Sequence, residues 1–205
     1  MTDNAKKHIK QAIVILFAAV LGILLGRLVS NYEMRFMLDR EYRGEYKGVE
    51  IYTCGEINVD NYNAHIKMLS YAPDELLAYC EKMYFTGGGI SVPANDSGFD
   101  QALGLTQDKV IYVSTQSFGA DVVMHELFHT YDNGKGMISS NDEDFYHIFD
   151  EEKDNIRIIA GSDSLLASEF FAEAGAIYII SPFELSIRAP KAYRYFNSLF
   201  ALYEE

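Results

Sequence analysis

The longest apolar run of the chain comes first. Lys6, Lys7 and Lys10 lead into an unbroken hydrophobic stretch from Ala12 to Gly26, which Arg27 interrupts and Leu28-Val29 closes. As a helix, residues 12–29 would be roughly 27 Å long, enough to cross a hydrocarbon core. No polar face precedes Arg27, whereas a helix on the surface of a soluble domain would carry one. The pattern predicts a transmembrane anchor over 12–29 behind a short basic cytoplasmic segment, 1–11, with the remainder of the chain on the far side of the membrane. A signal peptide removed on export fits the same charged start and would leave the domain secreted, although Leu28-Val29-Ser30 is a poor cleavage site. Residues 30–48 are polar and charged and read as a stalk.

Beyond the stalk the periodicity changes. Val49 to Thr53 alternates as a strand does, and residues 58–84 read as helix in two pieces. Pro73 opens the second piece, with Leu76, Leu77, Cys80 and Met83 at helical spacing. Residues 85–92 are strand-like around Gly87-Gly88-Gly89; no lysine or helix start follows in a phosphate-loop pattern, so a bulge or rim is expected there. Two short strands, 102–106 and 109–114, flank Gln107-Asp108 as a hairpin. A helix over 117–131 buries Val122, Val123, Leu127 and Phe128 and ends at Asp132-Asn133-Gly134. Further helices are expected over 144–153, 164–180 and 190–203. This order predicts an α+β fold over 49–205, with a small twisted sheet packed on helix 117–131 and a helical C-terminal half. The strand 102–106 would lie at the sheet edge, where Leu103, Gly104 and Leu105 could receive an extended peptide; an ordinary capped edge fits equally.

Composition narrows the partners. At 205 residues with 49% hydrophobic, the chain has material for one ordinary domain and an appendage. Without residues 1–30 it carries 13 basic and 29 acidic residues, a net charge of −16. Such a domain is repelled by phosphate backbones, which excludes nucleic acid as a partner. Cys54 and Cys80 are the only cysteines. They either pair or sit as two core thiols, and their spacing matches no metal motif.

The chemistry is concentrated in Val122-Val123-Met124-His125-Glu126-Leu127-Phe128-His129. On a helix His125 and His129 project from one face a turn apart, so two imidazoles can grip one zinc ion. Glu126 between them is placed as a general base. Zinc lowers the pKa of water from ~15.7 to ~7. A catalytic site wants a third protein ligand. His8 lies in the basic leader, His65 on a helix read as surface, and His147 follows 18 residues after His129. Asp132 and Lys135 occupy the positions where one large class of zinc proteases has a glycine and a third histidine. Glu169 and Glu173 lie four apart on an otherwise apolar helix, where carboxylates are costly unless paired, hydrogen-bonded or bound to metal. One would ligate the metal; the other would hydrogen-bond a ligating imidazole.

His125-Glu126-Leu127-Phe128-His129, with Glu169-Phe170-Phe171-Ala172-Glu173 starting 40 residues after its last histidine, resembles the catalytic domain of anthrax lethal factor and its relatives, among them the secreted clostridial Pro-Pro endopeptidases. Ala189-Pro190-Lys191-Ala192-Tyr193-Arg194-Tyr195-Phe196 is similar to the last helix of lethal factor. The resemblance implies a zincin-like metallopeptidase domain with one zinc per chain, held by His125, His129 and Glu169, with Glu126 as general base and Glu173 in support. The family places an oxyanion-stabilising tyrosine seven residues before the ligating glutamate, and here that position is Ser162. Tyr131, Tyr146 and Tyr178 are then the candidate oxyanion donors. The expectation is a membrane-tethered, extracytoplasmic zinc endopeptidase acting on an extracellular or surface protein. The alternative is a zinc-containing but slow or inactive module that binds a peptide or protein.

Overall fold

The computed structural model describes residues 39–93, 99–116, 119, 121–160 and 166–202. Its frame is a five-stranded sheet ordered β1-β2-β3-β7-β6. The strands are β1 (Arg40–Tyr46), β2 (Val49–Cys54), β3 (Lys82–Thr86), β6 (Gly104–Gln107) and β7 (Val110–Ser114). β4 (Ile90–Pro93) and β5 (Phe99–Ala102) pair separately as an antiparallel ribbon. β2, β3 and β7 are parallel, and β6 runs antiparallel to β7 at the edge. Central parallel strands are buried on both faces, which explains their nearly continuous apolar composition. On one face Ile51, Met83 and Ile111 share a register row, and Phe85 and Val113 another. On the other, Tyr52, Tyr84 and Tyr112 stack across three strands, with ring centroids 5.0 and 5.3 Å apart.

The sheet begins earlier than the periodicity suggested. Residues 40–46, expected as the end of a stalk, form β1, which turns into β2 through Lys47 (φ 48°) and Gly48 (φ 90°). Positive φ at both positions is what a two-residue hairpin turn demands. The second helix expected before Tyr84 shrinks to α2 (Asp74–Leu77), after α1 (Val59–Leu69). Cys80 and Met83 nevertheless reach the core, because the chain extends and β3 slots between β2 and β7. Parallel pairing on both sides outweighed a short run of helical spacing. Ala102 belongs to β5 rather than to the edge strand.

The C-terminal half is helical: α3 (Asp121–Gly134), α4 (Ile138–Asn141), α5 (Glu143–Ala160), α6 (Ala167–Ile180), α7 (Pro182–Arg188) and α8 (Pro190–Phe200). α7 has no counterpart in the sequence reading; Pro182 at its first turn supplies the fixed φ that starts it. α3 lies between the sheet and α6, burying Val123, Met124, Leu127, Phe128 and Tyr131. Phe128 makes edge-to-face contacts with Phe171, Phe196 and Phe200. α6 approaches α3 closely because residue 175 is glycine: a Cβ there would stand 2.4 Å from the Phe128 ring. α5 fastens α8 by its buried Glu152, whose carboxylate accepts the Lys191 and Ala192 N–H groups at 3.0 and 2.9 Å. Those are the orphan donors of a helix start, satisfied from a neighbouring helix. Among the described residues no helix is long and apolar enough to cross a membrane. Residues 12–29, the expected anchor, lie outside them.

Candidate metal centre

α3 begins after β7, whose end is tied down by Thr115. The Thr115 hydroxyl donates to the Thr86 carbonyl at 2.9 Å, and the Asn61 side-chain amide donates to the Thr115 carbonyl at 2.7 Å. From that start, helical spacing places His125 and His129 on the side facing α6, and their Nε2 atoms converge to 3.0 Å. Across the helix interface Glu169 offers Oε2 at 3.3 Å from His125 Nε2 and Oε1 at 3.4 Å from His129 Nε2. Four donors bound at ~2.0–2.1 Å in a tetrahedral set stand about 3.3 Å apart. The separations seen here are of that size, the two Glu169 distances running to its two different oxygens. One donor atom from each of the three residues lies within 4.8 Å of the others, which leaves a corner for solvent or substrate. The residues therefore fit a zinc ion.

Charge supports the same conclusion. Burial disfavours a charged His125, yet the Glu169 and Glu173 carboxylates outweigh it and hold the imidazole pKa up to about 10. In return His125, then His129, hold the Glu169 carboxyl well below the usual range. The cluster thus draws positive charge to the point where the imidazole nitrogens meet, and a divalent cation would supply it. Glu173, one turn beyond Glu169, lies 3.4 Å from Nδ1 of His125, on the side of the ring away from the cluster. Such a carboxylate fixes ring orientation and leaves Nε2 for a metal.

Glu126 points the other way, toward the sheet edge. It is only 6% exposed, and burial raises its pKa while the two histidines and Thr106 pull it back. The Thr106 hydroxyl lies 2.7 Å from Glu126 Oε2. Two clefts flank the cluster. One, about 200 Å³, is lined by Leu103, Gly104, Val122, His125, Glu126 and Ala176 among others. The second, about 460 Å³, includes Leu105, Thr106, His129, Asn133, Ser168 and Glu169.

The structure brings His125, Glu126, His129, Glu169 and Glu173 together and places Leu103, Gly104 and Leu105 along the clefts. His147 is exposed on α5 and outside the cluster. His65, read from sequence as a surface residue, is 1% exposed and packs against Phe85. None of the three candidate oxyanion tyrosines lines either cleft. Tyr131 is buried against Tyr79 and Phe200, Tyr146 is exposed beside Phe149, and the Tyr178 hydroxyl donates to Asn197 at 2.9 Å. Ser162 lies outside the described residues. Sequence reading gave no role to Thr106, Asn133 or Ser168. Asn133 carries a usable signal, since it continues the four-residue spacing of His125 and His129. Cys54 and Cys80 are buried and no disulfide links them; burial pushes the Cys80 thiol up to about 12.

A solved structure, the Pro-Pro endopeptidase of Paenibacillus alvei, superposes with a TM-score of 0.60. The chain shares its fold. The match covers 75% of this chain and 98% of that one at 22% sequence identity. No protein-family model and no curated protein sequence matches the chain.

Proposed function

We propose that this chain is a zinc-dependent endopeptidase. The observation that carries the proposal is the donor triangle of His125, His129 and Glu169, with the Glu126 carboxylate one residue from a ligand and turned to an open sheet edge. Zinc, when bound there, supplies a Lewis acid that makes water a nucleophile at neutral pH. The chain's own residues supply the rest. An extended peptide adds along the outer edge of β6, the last strand of the sheet among the described residues, past Leu103, Gly104 and Leu105, through main-chain hydrogen bonds. Glu126 takes the proton of the attacking water and passes it to the leaving amine; burial, which raises its affinity for a proton, suits it to the task. Glu173 keeps the His125 ring in place.

The likeness to a Pro-Pro endopeptidase and the resemblance of the two motifs to lethal factor point to the same reaction class. The sequence adds the setting: a domain tethered by residues 12–29 and facing away from the cytoplasm, acting on an exposed protein. The experiment is twofold. Purified protein is assayed for metal by elemental analysis, and a diverse peptide library that includes Pro-Pro bonds is digested and read by mass spectrometry. One zinc per chain with defined cleavage sites supports the proposal. Full zinc with no cleavage would favour the binding-module reading, the alternative raised by Ser162 at the position where the family has its tyrosine.

A further inference from the structure

We infer that the edge strand β6 is also the holder of the general base, with Thr106 and Gly104 as positioning residues for Glu126; the catalytic meaning of this rests on the peptidase reading. The Thr106 hydroxyl oxygen lies 2.7 Å from Glu126 Oε2 and 3.0 Å from the main-chain carbonyl of the same residue. A hydroxyl has one hydrogen to give. Toward an ionised carboxylate that hydrogen bond is charge-assisted and the stronger of the two. Two residues earlier, on the same face of the strand, Gly104 leaves a space that Glu126 fills. A Cβ at 104 would stand 2.4 Å from Glu126 Oε1, 2.7 Å from its Cγ and 2.7 Å from Val122 Cγ1. One carboxylate oxygen is therefore tied by a hydroxyl, and the other occupies the volume of a missing side chain.

The arrangement has a mechanical consequence. Glutamate has three rotatable side-chain bonds, and its position on α3 alone does not fix where the carboxylate lies. β6 removes that freedom. The same strand offers its outer edge to a peptide, because it ends the sheet order, and Gly104 and Glu126 border both clefts. A peptide paired with β6 and the carboxylate resting on the face of β6 are thus held in one frame. Misplacement of a reacting group by about 1 Å costs on the order of 10²-fold in rate.

The test uses the zinc-loaded chain. Thr106→Val keeps the side chain's shape and removes the hydroxyl; Thr106→Ser keeps the hydroxyl. Thr106→Val is expected to lower kcat by roughly 10- to 10²-fold, with KM and zinc content unchanged, and Thr106→Ser to recover most of the loss. Gly104→Ala should lower kcat at least as far. Unfolding midpoints give a readout independent of turnover: the fall caused by Thr106→Val should shrink in a Glu126→Ala background, where the carboxylate partner is gone. Wild-type kcat in Thr106→Val, or a Thr106→Ser variant as impaired as Thr106→Val, overturns the inference. If the wild-type chain hydrolyses no peptide, the peptidase reading fails and the unfolding cycle decides the inference alone. A smaller fall in the Glu126→Ala background sustains the hold of Thr106 on Glu126, and an equal fall in both backgrounds overturns it.

Discussion

Gly175→Ala is the substitution for which the structure and helix propensity make opposite predictions. In an ordinary helix interior, glycine to alanine gains about 0.8–1 kcal/mol. Here the new methyl group would meet Phe128 at 2.4, 2.5 and 2.6 Å. Carbon atoms rest at about 3.5–4.0 Å, so something must move by about 1 Å. The Phe128 ring cannot simply turn away. It is fully buried and braced edge-to-face by Phe171, Phe196 and Phe200. Overpacking of such a core costs about 1–3 kcal/mol, which exceeds the propensity gain over most of that range. We expect a net loss of up to about 2 kcal/mol, a drop of up to roughly 8 °C in Tm for a domain of this size. The strain relaxes most readily by parting α3 from α6, which carry the histidines and the glutamates respectively. Zinc affinity should therefore fall along with stability. Thermal unfolding followed by circular dichroism gives the first quantity, and competition with a chromophoric chelator gives the second. A Gly175→Ala protein that is more stable than wild type and binds zinc as tightly would refute the claim that this glycine sets the helix spacing.

Removing a ligand should be specific: Glu169→Ala should release zinc on elemental analysis, whereas His147→Ala should not, since His147 sits apart on α5. The chelated protein should show a narrow stability window in pH. His125 is held up to about 10, so its contribution is fully present below an unfolded pKa of roughly 6.5 and is lost as pH rises toward about 10. Glu169 is held down, so its contribution is present above roughly pH 4.5 and is lost as pH falls. Urea midpoints of the chelated protein should peak between those two values, and a flat profile would contradict the pairing. Zinc affinity should instead rise with pH, because the metal competes with protons for the imidazoles. Protease shaving of intact cells should digest the domain if residues 12–29 anchor it outward; digestion only after lysis would reverse that topology.

What the sequence revealed and what it hid divide along the range of the interactions involved. His125 and His129, and likewise Glu169 and Glu173, are pairs whose shared face depends only on local helical geometry, and acids on an apolar helix announce an unusual environment by themselves. The edge position of β6 followed from strand order. By contrast, the roles suggested for Thr106 and Gly104 depend on which helix lies over the strand, a fact of tertiary packing that no local pattern encodes. The same cause hid β1 within a charged segment, turned the last residues of an apparent helix into the start of β3, and buried His65 against Phe85. The tyrosines are a separate case, since none of the three lines either cleft. Tyr131, Tyr146 and Tyr178 were chosen by residue type alone, and two of them are core side chains.

The most direct test of the account is the rate of peptide hydrolysis by zinc-loaded wild-type protein against Glu126→Gln. The substitution preserves size and leaves His125, His129 and Glu169 untouched, but an amide accepts a proton from water far less readily than a carboxylate. With full zinc and an unchanged fold in both proteins, turnover should fall by roughly 10²–10⁴, the usual contribution of a positioned general base. Equal rates in the two proteins would contradict the assignment of Glu126, and with it the reading of this site as a peptidase.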